Sequence, residues 1–181
     1  MTIIKVENLF SEKQLDALNN MISNGEATID EKLGRSQVIL NSLGEENIGS
    51  KILEIGKNLS LSSAIYVEYS NNFGQPNLPT HYDGDNSDLI VNYQLSSNTS
   101  WDIGLGLETY SLEDNSALIF NPNEYIHWRP IKQFEAGEYV KMIFFRLWNK
   151  ENTSDYSHLR YSLDNPIFDE VKKIRDKGNN G

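Results

Sequence analysis

The amino-acid sequence predicts a mainly β protein with flanking helices, an α+β arrangement built around a jelly-roll sandwich. Three observations predict it. Short runs of branched and aromatic residues recur through the middle of the chain, Asn, Asp, Gly and Pro separate these runs, and apolar residues at helical spacing lie towards the two ends. A length of 181 residues with 38% apolar content suits one domain with a sizeable core.

The predicted strands are alternating or continuously apolar runs bounded by turn residues. They cover residues 63–69, 88–95, 101–110, 116–120, 125–128 and 138–148. A first helix begins after Ser11, which is spaced to form a capping box with Gln14. A second helix follows the apolar positions of residues 48–59, and a third begins at Asn165 as N-cap with Pro166 as its first residue.

We expect a single domain with three parts: a helical flank over residues 1–60, a jelly-roll core over 61–149 and a C-terminal extension over 150–181. The first five residues are too short an apolar run for a secretory signal, and no apolar stretch has the length of a membrane span. The chain contains no cysteine, which agrees with a reducing compartment. We therefore expect a cytoplasmic protein without a membrane partner.

Two of the three histidines frame an H-x-D…H pattern. In a strand, side chains i and i+2 point to the same side, so His81 and Asp83 reach one ion while Tyr82 turns away. The second histidine, His127, is separated from Asp83 by 43 residues and comes from a different strand. Imidazole and carboxylate ligands suit iron(II) and leave positions open on it, whereas the thiolates common in structural zinc sites are missing. The pattern predicts a redox metal site, with Asp85 as the alternative carboxylate.

The order of these features resembles the iron(II)- and 2-oxoglutarate-dependent dioxygenases, most closely their prolyl 4-hydroxylase-like branch. The resemblance covers roughly residues 64–148. Its elements, in order, are a strand with Tyr69, the Gly74-Gln75 turn, His81-Tyr-Asp83, the strand ending Tyr93-Gln-Leu95, Trp101 with a glycine-containing strand, Ala117–Phe120, His127 with Pro130-Ile131, and Gly137 before the last strand.

This resemblance implies a double-stranded β-helix of the jelly-roll or cupin type, and it implies Fe(II), 2-oxoglutarate as cosubstrate and O2. It also implies hydroxylation of an unactivated C–H bond as 2-oxoglutarate is converted to succinate. The substrate implied is a peptidyl residue such as proline, or a small amino-acid-like metabolite.

The family anchors the far carboxylate of 2-oxoglutarate with an Arg or Lys on the strand after the second histidine, and here the usual position is Tyr139. Lys141 lies on the same strand face as Tyr139 and is the first choice for the anchor. Arg146, on the opposite face of a regular strand, is the second choice, and Arg129 is the third. The resemblance also places Tyr69 where its hydroxyl can bond the cosubstrate, although a packed core tyrosine fits the same pattern.

The charge of the chain indicates which classes of partner it can bind. The net charge is −10, and residues 58–128 carry nine acidic residues without any Lys or Arg. Such a field repels phosphate backbones, so we expect no nucleic-acid partner and favour a neutral or cationic substrate, either a small molecule or a peptide. The sequence does not predict an oligomeric state.

Two other classes of function fit the same sandwich. A non-catalytic jelly-roll binding protein is favoured by the missing basic residue at Tyr139. A cupin-type hydrolase or isomerase would use the same three ligands with zinc or manganese.

Overall fold

The computed structural model describes residues 2–161 and 166–177. In chain order, their strands and helices are β1 (Ile4–Val6), α1 (Glu12–Asn24), β2 (Ala27–Asp30), β3 (Arg35–Ile39), α2 (Ile48–Ile55), β4 (Ser60–Ser70), β5 (Leu89–Ser97), β6 (Ile103–Leu105), β7 (Glu108–Tyr110), β8 (Ser116–Phe120), β9 (His127–Trp128), β10 (Tyr139–Trp148) and α3 (Pro166–Lys177). Short 3-10 turns occupy Glu45–Asn47 and Ser157–Tyr161.

The strands form two antiparallel sheets. The larger sheet has seven strands in the order β1-β8-β5-β10-β4-β3-β2, and the smaller has the order β7-β6-β9. Ile90 and Phe120 of the larger sheet pack against Ile103 and Leu105 of the smaller one. The two sheets therefore face each other across a shared apolar interior, which confirms the predicted jelly-roll sandwich.

The larger sheet is buried on both faces, as its central strand β10 illustrates. Ile143 and Phe145 pack in the cluster that contains Leu18 of α1, whereas Val140 and Met142 pack in the interior of the sandwich. Successive side chains of a strand point to opposite faces, so odd-numbered residues of β10 face the helices. Even-numbered positions of β10 face the smaller sheet.

The helices largely match their predictions. The capping box is present, with Ser11 N donating to Gln14 Oε1 at 3.1 Å and Gln14 N donating to Ser11 Oγ at 3.4 Å. Helix α2 ends at Ile55, short of the predicted residue 59. Helix α3 begins at Pro166, while the predicted N-cap Asn165 lies outside the described residues. None of the described helices is long and apolar enough to cross a membrane.

Two segments differ from their predictions. The flank over residues 1–60 contributes strands β1 to β3 to the larger sheet as well as two helices. The predicted strand over residues 101–110 is a hairpin of β6 and β7, because Gly106 has a positive φ of 59° and turns the chain after Leu105. The hairpin supplies two of the three strands of the smaller sheet, with β6 paired to β9.

Candidate metal centre

The two histidines of the motif lie on adjacent backbone segments. His81 N donates to His127 O at 3.0 Å, and His127 N donates to His81 O at 2.9 Å. This pair is the single bridge that the H-x-D segment makes with β9, so the segment is extended but is not the regular strand that the pattern predicts. The imidazole centroids are 4.1 Å apart, and Tyr82 points away to pack on Phe168 of α3.

Three ligand atoms converge between these segments. Asp83 Oδ1 lies 3.3 Å from His127 Nε2 and 3.5 Å from His81 Nε2. All the ligand atoms of the three residues lie within 4.8 Å of one another. The structure therefore brings together the three residues that the sequence motif predicts.

The hydrogen bonds of the imidazoles set which nitrogen faces the centre. His81 Nδ1 lies 2.7 Å from the carbonyl oxygen of Pro79, and His127 Nδ1 lies 3.1 Å from that of Tyr125. An Nδ1–H that donates to a backbone carbonyl leaves the lone pair on Nε2, which is the usual outer arrangement of metal-binding histidines. Two imidazole lone pairs and a carboxylate oxygen then point at one space, and a divalent cation fits this donor set.

The protonation states suit a cation as well. Burial, together with the neighbouring His127, lowers the pKa of His81, so its imidazole is neutral at pH 7. Burial alone would raise the pKa of Asp83, but hydrogen bonds with His127 and His81 and the charge of Arg146 hold it well below its usual range. The centre thus presents a neutral imidazole at His81 and an ionised carboxylate at Asp83.

A cavity of about 150 Å³ opens beside the three ligands, inside the sandwich. Its walls are mostly apolar, including Ile65, Val67, Phe120 and Phe144. Four polar side chains also line it, namely Arg35, Gln37, Asn92 and Arg146. A mostly apolar cavity with a few convergent polar groups is the usual form of a small-molecule site.

Arg35 enters this cavity from β3 and was not among the sequence-predicted site residues. Its Nη1 donates to Tyr69 Oη at 3.3 Å, and its guanidinium carbon lies 6.0 Å from the centre of the Tyr69 ring. The Nε of Arg35 is buried and makes no hydrogen bond with any described residue. Leu33 and Gln37 line the cavity beside Arg35, but the sequence from Leu33 to Gln37 does not alternate between apolar and polar residues as a strand signal would.

Arg146 also lines the cavity, at the end nearest the ligands. One arm of its guanidinium, Nη2, lies 3.3 Å from Asp83 Oδ2, and the other arm donates to Asp85 Oδ2. Asp85, the alternative carboxylate ligand, is thereby paired with Arg146 and is not one of the three converging residues. Arg146 faces the interior because even-numbered positions of β10 do so, as Val140 and Met142 illustrate.

The other predicted anchors lie elsewhere. Lys141 is on the helix-side face of β10, where its Nζ lies 4.0 Å from Glu68 Oε2, and it does not line the cavity. Arg129 is fully buried against Trp101 and Met142, and burial lowers its pKa to about 10. It does not line the cavity either. Tyr69 is also buried and reaches the site through Arg35.

Comparison with solved structures identifies the class of fold. The chain is similar to an oxidoreductase of the 2OG-Fe(II) oxygenase family from Burkholderia pseudomallei, with a TM-score of 0.62, 6% identity and coverage of 86% of this chain and 87% of that one. HygX from Streptomyces hygroscopicus, solved with nickel and 2-oxoglutarate bound, has a TM-score of 0.60 and 8% identity, and the match covers 82% of this chain and 83% of that one. A prolyl-4-hydroxylase from Pseudomonas putida has a TM-score of 0.55 and 11% identity, and the match covers 82% of this chain and 92% of that one.

These similarities define the fold as that of the 2OG-Fe(II) oxygenases, with a His-Asp-His group placed where it can hold a metal ion. No protein-family profile matches the sequence, and no curated protein sequence matches it either. The prolyl hydroxylase is one similar structure among several, so that particular branch stays a prediction.

Proposed function

We propose that this protein is an Fe(II)- and 2-oxoglutarate-dependent dioxygenase that hydroxylates an unactivated C–H bond of a peptidyl residue, proline included, or of a small amino-acid-like metabolite. One observation carries the proposal: His81, Asp83 and His127 converge beside a cavity that is also lined by Arg35. A keto acid with a second carboxylate is the kind of ligand that can contact both features.

His81 Nε2, His127 Nε2 and Asp83 Oδ1 would hold the iron. Three protein ligands leave open coordination positions, and ferrous iron with bound 2-oxoglutarate supplies the oxidising power by activating O2 while the keto acid is decarboxylated to succinate. The protein's own residues keep the ligands oriented. The carbonyl oxygens of Pro79 and Tyr125 hold the two imidazoles with Nε2 inward, and the pairing of His81 with His127 fixes the distance between their backbones.

The far carboxylate of 2-oxoglutarate would bind Arg35. This side chain lines the cavity and carries a buried Nε without a hydrogen-bond partner among the described residues. Arg146 also has a buried Nε without a partner among the described residues, but its two Nη atoms already contact carboxylates, those of Asp83 and Asp85. An arginine can grip a carboxylate with two parallel N–H donors, and the hydroxyl of Tyr69, which accepts from Arg35 Nη1, would hold the guanidinium in place.

The rest of the cavity would exclude water from the reacting atoms. Ile65, Phe120 and Phe144 present apolar surface to the cavity that the metal ligands and Arg35 also line. Removing water strengthens the electrostatic contacts of a bound dicarboxylate, because charges interact more strongly where the effective dielectric constant is lower.

The substrate would bind outside this cavity, on the other side of Arg146. A shallow cleft of about 270 Å³ lies there, lined by Ser62, Ser63, Asp85, Asn86, Ser87, Arg146 and Trp148. Hydroxyl, amide and carboxylate groups can bind the polar groups of a neutral or cationic substrate, while the indole of Trp148 offers an apolar surface. Asn123 holds one wall in place, since its Nδ2 donates to the carbonyl oxygens of Asp85 and Ser87 at 2.8 and 2.9 Å.

An anaerobic titration with Fe(II) and then 2-oxoglutarate tests the proposal. A keto acid that chelates iron through two oxygens should give a weak visible charge-transfer band in the wild-type protein. The band should be absent from Asp83→Ala under the same conditions. Metal-loaded wild-type protein without such a band would reject the oxygenase and favour either a non-catalytic binding protein or a cupin-type hydrolase or isomerase. Substrate-stimulated succinate formation, followed by mass analysis for one added oxygen, would then identify the substrate.

A further inference from the structure

The carboxylate of Asp83 is divided between two sets of partners. Its Oδ1 faces the imidazoles of His81 and His127 at 3.5 and 3.3 Å, whereas its Oδ2 faces Arg146 Nη2 at 3.3 Å. The side chain of Asp83 is almost fully buried, so neither oxygen is freely solvated. Each oxygen of this carboxylate therefore has a separate electrostatic environment.

Arg146 is itself held from the other side. One arm of the guanidinium donates to Asp85 Oδ2, so the fork spans two carboxylates that are two residues apart in the chain. Asp85 is in turn fixed by the buried side chain of Asn123, whose Oδ1 accepts from Gly84 N at 3.0 Å and whose Nδ2 donates to Asp85 O. This chain of contacts runs from the substrate-side cleft to the metal ligand.

We propose that Arg146 is a positioning residue that holds Asp83 as a ligand through Oδ1 alone, with Oδ2 turned away from the metal. The proposal rests on the proposed function, since it assumes that a divalent metal occupies the centre. A carboxylate can bind a metal through one oxygen or through both, and the second mode would take a coordination position that the cosubstrate or O2 requires. The planar fork of Arg146 opposes that second mode, because rotating the carboxylate to bring Oδ2 to the metal breaks the contact with Nη2.

Asp85 then has a role that is distinct from metal binding. It fixes the orientation of the guanidinium, and it couples the Gly84–Ser87 loop to the metal ligand through a single side chain. A substrate that displaces Asp85 from Arg146 would also change the contact between Arg146 and Asp83. The cleft contains both Asp85 and Arg146 in its wall, so a bound substrate can reach this pair directly.

Cobalt(II) is a suitable probe, because its visible d–d absorption depends on coordination number and the measurement requires no turnover. In the absence of 2-oxoglutarate, Arg146→Met should bind cobalt(II) about 10-fold more tightly than the wild type, because a cation 3.3 Å from the ligand carboxylate is removed and the second carboxylate oxygen becomes available. Its d–d absorption should also weaken, as Asp83 becomes free to bind through both oxygens. Arg146→Lys should return the affinity part of the way to the wild-type value, because it keeps the charge but lacks the planar fork.

Asp85→Asn keeps the shape of the side chain and removes its charge, so it should shift the cobalt(II) spectrum in the same direction by a smaller amount. Lys141→Ala lies on the same strand but on its opposite face, and it should retain the wild-type affinity and spectrum. Wild-type affinity and spectrum in Arg146→Met, with only 2-oxoglutarate binding weakened, would overturn the positioning role and make Arg146 a cosubstrate anchor. A wild-type protein that fails to bind cobalt(II) would overturn the proposed function itself, and the positioning role with it.

Discussion

Replacing Arg35 by Ala should weaken 2-oxoglutarate binding without unfolding the protein. Within the described part of the chain, the one side-chain hydrogen bond of Arg35 is the 3.3 Å contact with Tyr69 Oη, so its removal leaves the sandwich nearly intact. A hydrogen bond to a charged group contributes about 1.5–3 kcal/mol. Since about 1.4 kcal/mol changes an equilibrium constant tenfold, we expect the dissociation constant for 2-oxoglutarate to rise about 10- to 100-fold.

The anaerobic visible titration measures this constant directly, with Fe(II) held at saturation in every variant. Arg35→Lys should fall between the wild type and Arg35→Ala, because an ammonium keeps the charge but not the two parallel donors. Tyr69→Phe should weaken binding by a smaller factor, through loss of one neutral hydroxyl. Lys141→Ala should match the wild type. An unchanged constant in Arg35→Ala, together with a large increase in a variant of Arg129 or Lys141, would refute the assignment of the anchor.

Two further predictions concern the scaffold. Gly104→Ala should lower the free energy of unfolding by about 1–3 kcal/mol, because a Cβ there would overlap the indole ring of Trp128. Gly44→Ala is the control and should have little effect, because a Cβ at Gly44 would meet no other atom. Equal urea midpoints for the two variants would contradict this reasoning. Asn115→Ala should cost about 1–3 kcal/mol for each buried partner left unsatisfied, since Asn115 bonds both the N–H and the carbonyl of Phe10. Asn58→Ala is the control, because Asn58 has a positive φ as Asn115 does but is exposed. A similar loss of unfolding free energy in both variants would show that backbone strain, and not hydrogen bonding, is responsible.

The convergence of the three residues of the candidate metal centre was predictable because their signal is local. His81 and Asp83 are two residues apart, and extended backbone sends both side chains to one side whether or not the segment pairs as a regular strand. His127 is the second histidine within the predicted jelly-roll core, residues 61–149. The strands were predictable for a similar reason, since turn residues bound each one.

The face of β10 was harder to predict. Residues 140–147 form a nearly continuous apolar run, and both faces of the strand are buried, one against the helices and one against the smaller sheet. A central strand of this kind lacks the alternation of polar and apolar residues that would identify its inner face. Taking Tyr139 as the reference position therefore placed Lys141 on the side that the structure gives to the helices, while Arg146 faces the cavity.

Arg35 depends on long-range pairing and has no local signal as strong. It reaches the cavity because β3 pairs antiparallel with β4, which sets Arg35 opposite Tyr69, 34 residues away in sequence. The flank over residues 1–60 was expected to be helical, and a five-residue strand between turns is easily missed when the neighbouring segments carry the helical pattern. Register between distant strands is a tertiary property that one sequence does not specify on its own.

The central claim is that His81, Asp83 and His127 bind one divalent metal. Anomalous diffraction from crystals soaked anaerobically with Fe(II) tests it most directly. The account predicts a single anomalous peak about 2.0–2.2 Å from His81 Nε2, His127 Nε2 and Asp83 Oδ1, the range typical of divalent first-row metals with nitrogen and oxygen ligands. A fully occupied peak elsewhere, or none at this centre in crystals that bind iron in solution, would contradict it.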